Sequence, residues 1–348
     1  MSIPATTDPP YAPSAVNRLF GAIERLPAGG WWVYPLLFVA GIVYLQAFLW
    51  ITGRSPVGSI AISAIAGSPY GAYTLWAIHY LSRVADRAVT AFRPASGMTD
   101  EEFALRRYEL TTIPAGRIWV ALPVGAAITA GSILFAPAAA IAPYAGTPLE
   151  ALAVLGPTAV FGYSMFPIIA YQTVRQLRLV ARLHREATAL DLFDTGPIYA
   201  FSLLTVRIGL GYVAVGYYSL TANASFQEGN PVALATLGGS VLLGVACFIL
   251  PLWGIHGRLV TEKAGLVRAA SVRVQAMSNE LYRRVDAASL AGIKDVTDAM
   301  AHLIATREQV GRLPTWPWPP QVLRGFLSAV LLPVAVFLIT RALGGQLR

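Results

Sequence analysis

The chain has 348 residues, of which 55% are hydrophobic and 13% charged, and its mean hydropathy is +0.57. Because a soluble domain carries about 25% charged residues, this composition excludes an ordinary soluble protein and indicates a chain solvated by lipid. The formal net charge of +8 does not indicate a nucleic-acid partner. The basic residues lie beside apolar stretches, where they set topology and contact anionic headgroups of the lipid bilayer.

The first thirty residues lack the order of basic, apolar and small residues that marks a signal peptide. We expect residues 1–30 to form a cytoplasmic N-terminal tail, with a short amphipathic segment over 16–26. A bundle of six transmembrane helices with cytoplasmic extensions is predicted over 31–255, followed by a cytoplasmic helical hairpin over 256–313. A linker rich in Trp and Pro and a seventh transmembrane helix occupy 314–348.

Seven apolar stretches are long enough to cross roughly 30 Å of hydrocarbon, which takes about 20 helical residues. They predict an all-α polytopic membrane protein with seven transmembrane helices. The second stretch is the least apolar, but Gly and Ser are tolerated where membrane helices pack closely. The approximate spans are 31–53, 57–82, 117–142, 151–174, 197–221, 232–255 and 322–341.

Basic residues are distributed unevenly over the segments between these spans. Of the 26 Lys and Arg residues, 22 fall in the N-terminal tail and in the three long connecting segments on one side. On the other side are Arg54, Arg341 and Arg348, while Arg207 lies inside the fifth span. Since basic loops stay in the cytoplasm, we predict a cytoplasmic N-terminus and an outside C-terminus. The chain is then a multi-pass protein of the plasma or inner membrane.

The predicted sixth span continues without a turn signal into a charged segment, 257–285. Apolar residues recur there every three or four positions, and a second such stripe follows in 290–310, after the candidate N-cap Ser289. The two stripes predict an antiparallel helical hairpin. It packs only on itself, or it also contacts other cytoplasmic loops or neighbouring subunits. The stripes are Val267, Ala270, Val274, Met277 and Leu281, then Ile293, Val296, Met300 and Leu303.

Carboxylates are absent from the interiors of the predicted spans, since all 18 Asp and Glu residues fall in tails, loops or span edges. Ion-coupled transporters usually need acids near the midplane, so this distribution argues against that class. Signatures of catalysis are also missing: there is no HExxH, cysteine pair or phosphate-binding loop, and Gly209 and Gly211 predict close helix packing. We therefore expect no enzyme, no metal and no other cofactor.

Arg207 is the one charged residue deep inside a predicted span. A charge there is costly and normally faces the bundle interior or water, which leaves two interpretations. Arg207 is a structural residue satisfied by carbonyls and hydroxyls, or it belongs to a site for a small-molecule ligand or an ion. Aromatic residues with polar tips suit such ligands and equally suit ordinary packing. The candidate ligand-binding residues besides Arg207 are Tyr212, Tyr163 and Trp119.

Seven spans, an inside N-terminus, long cytoplasmic extensions and a helical segment between spans six and seven resemble the seven-transmembrane ion channel superfamily. That superfamily includes the insect odorant and gustatory receptors, although the last span, 322–340, lacks their Tyr and Gln signature. The segments 107–114 and 191–202 look like those of uncharacterised prokaryotic membrane proteins. The resemblance implies a homotetramer whose seventh helices line a central pore and whose hairpins form most subunit contacts.

A pore in that position is lined by one face of the seventh helix. Residues three and four apart share a helical face, and this face is mostly apolar, which predicts closure by dewetting. The alternative is an ordinary buried or lipid-facing helix. The predicted pore-lining residues are Ser328, Leu331, Leu332, Ala335 and Leu338.

Three functions follow from these observations. The first is an oligomeric ion channel, a tetramer by the resemblance, that is gated by a small-molecule ligand. The second is a non-conducting membrane sensor or scaffold that signals through its cytoplasmic hairpin. The third is a carrier for an apolar or anionic solute.

Overall fold

A computed structural model describes residues 9–67, 69–189, 191–222, 231–287, 292–331 and 335 of the chain. Within these ranges the protein is helical and has no strand. The chain is therefore an all-α protein, as its sequence predicts.

The helices differ widely in length, and a short 3₁₀ turn separates the first two. They are α1 Ala15–Glu24, α2 Val33–Ile51, α3 Ile62–Gly67, α4 Pro69–Ser96, α5 Asp100–Thr111, α6 Ala115–Ile118, α7 Ala121–Leu134, α8 Ala138–Ile141, α9 Pro148–Glu186, α10 Thr195–Tyr199, α11 Ser202–Ala222, α12 Pro231–Asp286, α13 Ile293–Arg312 and α14 over 320–331.

Among the described residues, five stretches are long and apolar enough to cross a membrane, where the sequence predicts seven. The predicted span 57–82 is not one of them, because 52–61 is non-helical and the rest is shared between α3 and the more polar α4. The predicted span 322–341 lies partly outside the described residues. The five stretches are Val33–Ile51, Ala115–Leu134, Pro148–Glu186, Thr195–Tyr218 and Leu237–Asp286.

The predicted third span, 117–142, is interrupted twice and forms α6, α7 and α8. The second break precedes Pro137, because its ring removes a backbone donor and restricts the preceding residue. α7 packs along α9 at very short range. A Cβ on Gly125 would lie 2.5 Å from the backbone nitrogen of Ser164, so only glycine fits there.

α11 packs on α12 through a second contact between glycines. A Cβ on Gly209 would lie 2.6 Å from the Gly244 carbonyl oxygen, and one on Gly244 would lie 2.7 Å from the Gly209 carbonyl oxygen. Gly209 was predicted to serve close packing, and this prediction is confirmed. Backbones at this distance gain dispersion contacts that larger residues would prevent.

The N-terminal tail is docked on the bundle, which the sequence does not indicate. Ser14 caps α1, whose apolar face is buried. The Asn17 side chain accepts a hydrogen bond from the Ile113 amide at 2.8 Å and donates one to the Thr111 carbonyl at 3.3 Å. These bonds fix α1 against the segment that follows α5, a helix that begins after a capping box formed by Thr99 and Glu102.

Tyr11 extends this contact to the C-terminal half of α9. Arg175 donates hydrogen bonds to the Tyr11 hydroxyl and, at 2.6 Å, to the Thr112 carbonyl. The Tyr11 hydroxyl donates to the same carbonyl at 3.1 Å. Burial raises the pKa of Tyr11 to about 12, although the Arg175 guanidinium opposes that shift. Three segments far apart in sequence thus meet at one hydrogen-bonded junction.

The long helix and hairpin that the sequence predicts after the fifth span are present. α12 runs unbroken for 56 residues, and α13 packs along its second half. The Lys263 ammonium donates to the Leu313 carbonyl at 2.8 Å, and Arg284 lies beside Gly292, which makes the pair antiparallel.

The predicted apolar stripes are the less exposed faces of both hairpin helices. The N-cap of α13 is Gly292, with φ of 72°, and not Ser289, which lies outside the described residues. Glycine adopts this left-handed backbone conformation without the steric strain that a Cβ would cause.

The segment that joins α13 to α14 is held against α12 by aromatic stacking. His256 stacks on Trp316 with ring centroids 3.9 Å apart, and its Nδ1 donates to the Thr315 carbonyl at 2.9 Å. Phe248 stacks on Phe326 at 4.2 Å. One face of α14 is thereby buried on α12.

Candidate functional site

A cavity of about 310 Å³ lies between α4, α9 and α11. Each helix contributes residues three or four positions apart, which share one helical face. Several of these residues are only partly buried, so the cavity opens toward the outside of the bundle. The lining includes Tyr73, Trp76 and Tyr80 of α4, Phe166 and Thr173 of α9, and Arg207, Gly211 and Tyr212 of α11.

Arg207 supplies the only charge among the described residues that line this cavity. Its guanidinium carbon lies 5.1 Å from the centroid of the Tyr80 ring, a cation–π contact. Trp76 stacks on Tyr80 with centroids 5.0 Å apart and planes at 11°, which holds the Tyr80 ring in place. Within the described ranges, Arg207 has neither a hydrogen bond nor an ion pair. Its five N–H donors are therefore available to a ligand.

Hydroxyl groups line the same cavity. The Tyr212 hydroxyl donates a long hydrogen bond, 3.4 Å, to Thr173 Oγ1. The Tyr73 hydroxyl donates to the Gly211 carbonyl at 3.3 Å, and a Cβ on Gly211 would lie 3.6 Å from that hydroxyl. The absence of a side chain at Gly211 keeps the middle of the cavity open. The polar groups are thus few and the remaining wall is apolar, as in small-molecule sites.

A second cavity of about 200 Å³ continues the first. The two share Tyr73, Ala214 and Val215 as lining residues. The far wall is formed by Tyr70 and Tyr218, whose rings meet edge to face with centroids 5.0 Å apart. A ligand that enters the first cavity therefore has room to extend along α11.

Of the four predicted ligand-binding residues, the structure brings Arg207 and Tyr212 together. Tyr163 lies on α9 beside Phe166, at a ring distance of 6.2 Å, and does not itself line the cavity. Trp119 is 76% exposed at the junction of α6 and α7, away from it.

The sequence reasoning missed the aromatic wall on α4. Tyr73, Trp76 and Tyr80 repeat at spacings of three and four, which places them on one helical face. The signal was present, but it lies in the stretch whose span boundaries were predicted least well.

The predicted pore-lining face can be examined for Ser328, Leu331 and Ala335, because Leu332 and Leu338 lie outside the described residues. All three are exposed, and Leu331 is 60% exposed. The buried face of α14, with Phe326 and Val330, is the one that packs within the chain. Within the described residues, the predicted face is therefore the exposed face of α14 and not the packed one.

The described residues contain no group of three or more His, Cys, Asp or Glu side chains close enough to hold a metal ion. No acid lines the Arg207 cavity either. The arrangement is suited to binding, because it combines one fixed cation, several hydroxyl groups and an aromatic wall.

Comparison of the chain with protein-family models, with curated proteins and with solved structures finds no match. The cavity and the exposed face of α14 are therefore the two features of the molecule that bear on its function.

Proposed function

We propose that this chain is a subunit of an oligomeric ion channel that is gated by a small organic ligand bound beside Arg207. The observation that carries the ligand site is the cavity itself, in which an arginine with no hydrogen bond or ion pair in the described part of the chain lies among aromatic side chains. Keeping an unpaired charge between apolar helices is costly. A ligand that pairs with the guanidinium removes that cost, which is a physical reason for the site to be occupied.

The exposed face of α14 supports the conducting part of this proposal. In the part of the chain that the structure describes, Ser328, Leu331 and Ala335 are exposed, whereas Phe326 on the opposite face stacks on Phe248. Around a symmetry axis, this face lines an apolar constriction that closes by dewetting. The same exposure is expected of a helix that faces only lipid, so the pore needs its own test.

The cytoplasmic hairpin supports oligomeric assembly. Large apolar side chains are exposed on the faces of the hairpin that lie outside the contact between α12 and α13. They are Leu266, Val272, Tyr282, Val285 and Ile304. Water-exposed apolar surface of this extent is typical of protein contacts. We assign these faces to neighbouring subunits, and a tetramer is the expected number.

The proposed topology has seven spans, with the N-terminus in the cytoplasm and the C-terminus outside. It rests on the distribution of the 26 basic residues, 22 of them on one side. Five helical stretches support it directly by length and hydropathy. The other two proposed spans use α3 with α4 and the C-terminal helix that begins with α14.

Planar-bilayer recording of the purified protein tests the channel. The wild type should conduct in single-channel steps, and Leu331→Ser should raise the resting conductance because it hydrates the constriction. Leu250→Ser is the matched control, since Leu250 is an exposed leucine of α12, on a different helix. An oligomer of defined mass that shows no conductance as wild type or as Leu331→Ser would rule the channel out.

The second candidate is a non-conducting sensor, which the unbroken α12 favours because it joins the bundle rigidly to the hairpin. In this case ligand binding at the cavity persists without conductance. Cysteines at Ser328 and Ala335, placed in a Cys247→Ala background, then stay inaccessible to water-borne thiol reagents. In a channel, at least one of them reacts when ligand is bound.

A further inference from the structure

The two cavities form one elongated groove between antiparallel helices. Along α4 the lining residues run from Leu81 back to Tyr70, while along α11 they run from Arg207 forward to Tyr218. The charged group is therefore at one end of the groove and the Tyr70–Tyr218 pair at the other. Between them the shared wall of Tyr73, Ala214 and Val215 is largely apolar.

The groove has the dimensions of one extended alkyl chain. From Arg207 to Tyr218 the helix advances 11 residues, about 16 Å at 1.5 Å per residue. An alkyl chain with bonds near 1.5 Å advances roughly 1.3 Å per carbon, so about 12 carbons reach from one end to the other. Cavities of about 310 and 200 Å³ in line do not accommodate two chains side by side over that length.

The charge at one end selects the head group. Arg207 has five donors in a planar fork, which match the two oxygens of a carboxylate. None of the described residues that line the groove is an acid, so none of them competes for the guanidinium. The Tyr212 and Thr173 hydroxyls line the same end and offer further hydrogen bonds to the head.

We propose that the groove binds a free single-chain carboxylic acid of about 10 to 12 carbons, with its carboxylate on Arg207 and its chain extended toward Tyr218. This inference rests on the proposed function in taking the Arg207 cavity as the ligand site, and it adds the class of ligand. A bilayer phospholipid is the competing occupant, because its phosphate also pairs with arginine. Its two acyl chains and bulky head fit a single-chain groove poorly.

Equilibrium binding of tritiated decanoate to the full-length protein in phosphatidylcholine nanodiscs tests the proposal. The wild type should bind saturably, above the partition of decanoate into empty discs. Arg207→Gln should weaken binding at least about tenfold, the loss expected for a charge-assisted contact. Arg207→Lys, which keeps the charge but not the planar fork, should lie between them. Arg54→Gln, an exposed arginine of the outer side paired with Glu150, should bind as the wild type does.

Competition by unlabelled acids tests the groove beyond the head group. Affinity should rise about fourfold per methylene up to about 12 carbons and then level off, because the far wall at Tyr70 and Tyr218 ends the groove. Val215→Trp, which narrows the junction between the cavities, should remove this dependence while hexanoate still competes. Decanol should compete far less well than decanoate for the wild type. For Arg207→Gln the two compounds should compete equally well.

Three results overturn the inference. One is decanoate binding that is unchanged in Arg207→Gln, which means partition into lipid. Another is equal competition by decanol and decanoate in the wild type. The third is displacement of bound decanoate by dihexanoylphosphatidylcholine, added below its micellar concentration, as effectively as by unlabelled decanoate, which assigns the groove to a phospholipid phosphate. None of these measurements uses conductance. They therefore distinguish a failure of this inference, in which the protein conducts without binding decanoate, from a failure of the proposed function, in which it binds decanoate without conducting.

Discussion

Arg258 shows how single residues tie this molecule together. Its guanidinium donates hydrogen bonds to three carbonyls at the C-terminal end of α9: His184, Arg185 at 3.2 Å and Ala187 at 3.0 Å. The last carbonyls of a helix lack partners within it and carry the negative end of its dipole. One cation on α12 therefore caps a helix that lies more than seventy residues away in sequence.

We predict that Arg258→Met lowers the free energy of unfolding by about 2–4 kcal/mol, because partly buried carbonyls lose charge-assisted bonds. Arg258→Lys should recover part of this loss, since one ammonium cannot reach three carbonyls as a planar fork does. Thermal unfolding of the purified protein, followed by circular dichroism, measures both. Arg268→Met is the matched control, because Arg268 is exposed on the same helix. Equal melting temperatures for Arg258→Met and this control would contradict the capping role.

At this scale the sequence predicts roles that follow from local context. Arg207 stands out because it is a charge among apolar neighbours, and Thr99 because its capping box is contained in four residues. Arg258 and Asn17 look like any other polar residue of their segments. Their partners lie on distant parts of the chain, and no spacing rule identifies such pairs.

Among the elements, the contact between α11 and α12 leaves no room for a side chain at its glycines. Gly244→Val should lower the melting temperature strongly, because its side chain meets the Gly209 backbone and overpacking costs about 1–3 kcal/mol or more. Gly239→Val on the same helix is the control, since a Cβ there meets nothing within 4 Å. If the two substitutions are equally mild, the close approach is not important for stability.

The hairpin makes a different prediction. Val296 is only 6% exposed in the contact between the two hairpin helices. Val296→Asp should lower the stability of the hairpin by about 3 kcal/mol, because a charge is then buried without a partner. Hydrogen exchange of α13 measures the loss, and Ala305→Asp on its exposed side should leave the exchange unchanged. Met277 and Leu281 are only half-buried within one chain. Aspartate at either position should therefore act mainly on the mass of the oligomer.

Elements with strong periodicity are predicted well and broken ones are not. The stripes of α12 and α13 repeat over many turns, so the hairpin follows from them. The stretch 57–82 contains Pro, Gly and Ser, and hydropathy alone does not show where its helix starts. As a result the aromatic wall of α4 was missed, although its spacing is regular.

For the whole molecule, the orientation in the membrane is the first prediction to check. A protease added outside intact cells should remove a C-terminal tag, whereas an N-terminal tag should be cut only after the membrane is permeabilised. The reason is the excess of basic residues on one side of the spans. A C-terminal tag that stays protected in intact cells, but is cut in lysed ones, would reverse the topology.

Because α12 is unbroken, we expect it to move as one rigid rod. It contacts α11, the helix that carries Arg207, through Gly244, and we expect it to tilt about this contact. From there to Asp286 the helix advances 42 residues, so a tilt of about 5° moves its far end by about 5 Å over roughly 63 Å. Spin labels at exposed Val285 and Leu36, in a Cys247→Ala background, should report such a displacement when decanoate is added. An unchanged distance distribution would mean that occupancy of the groove does not displace the C-terminal end of α12.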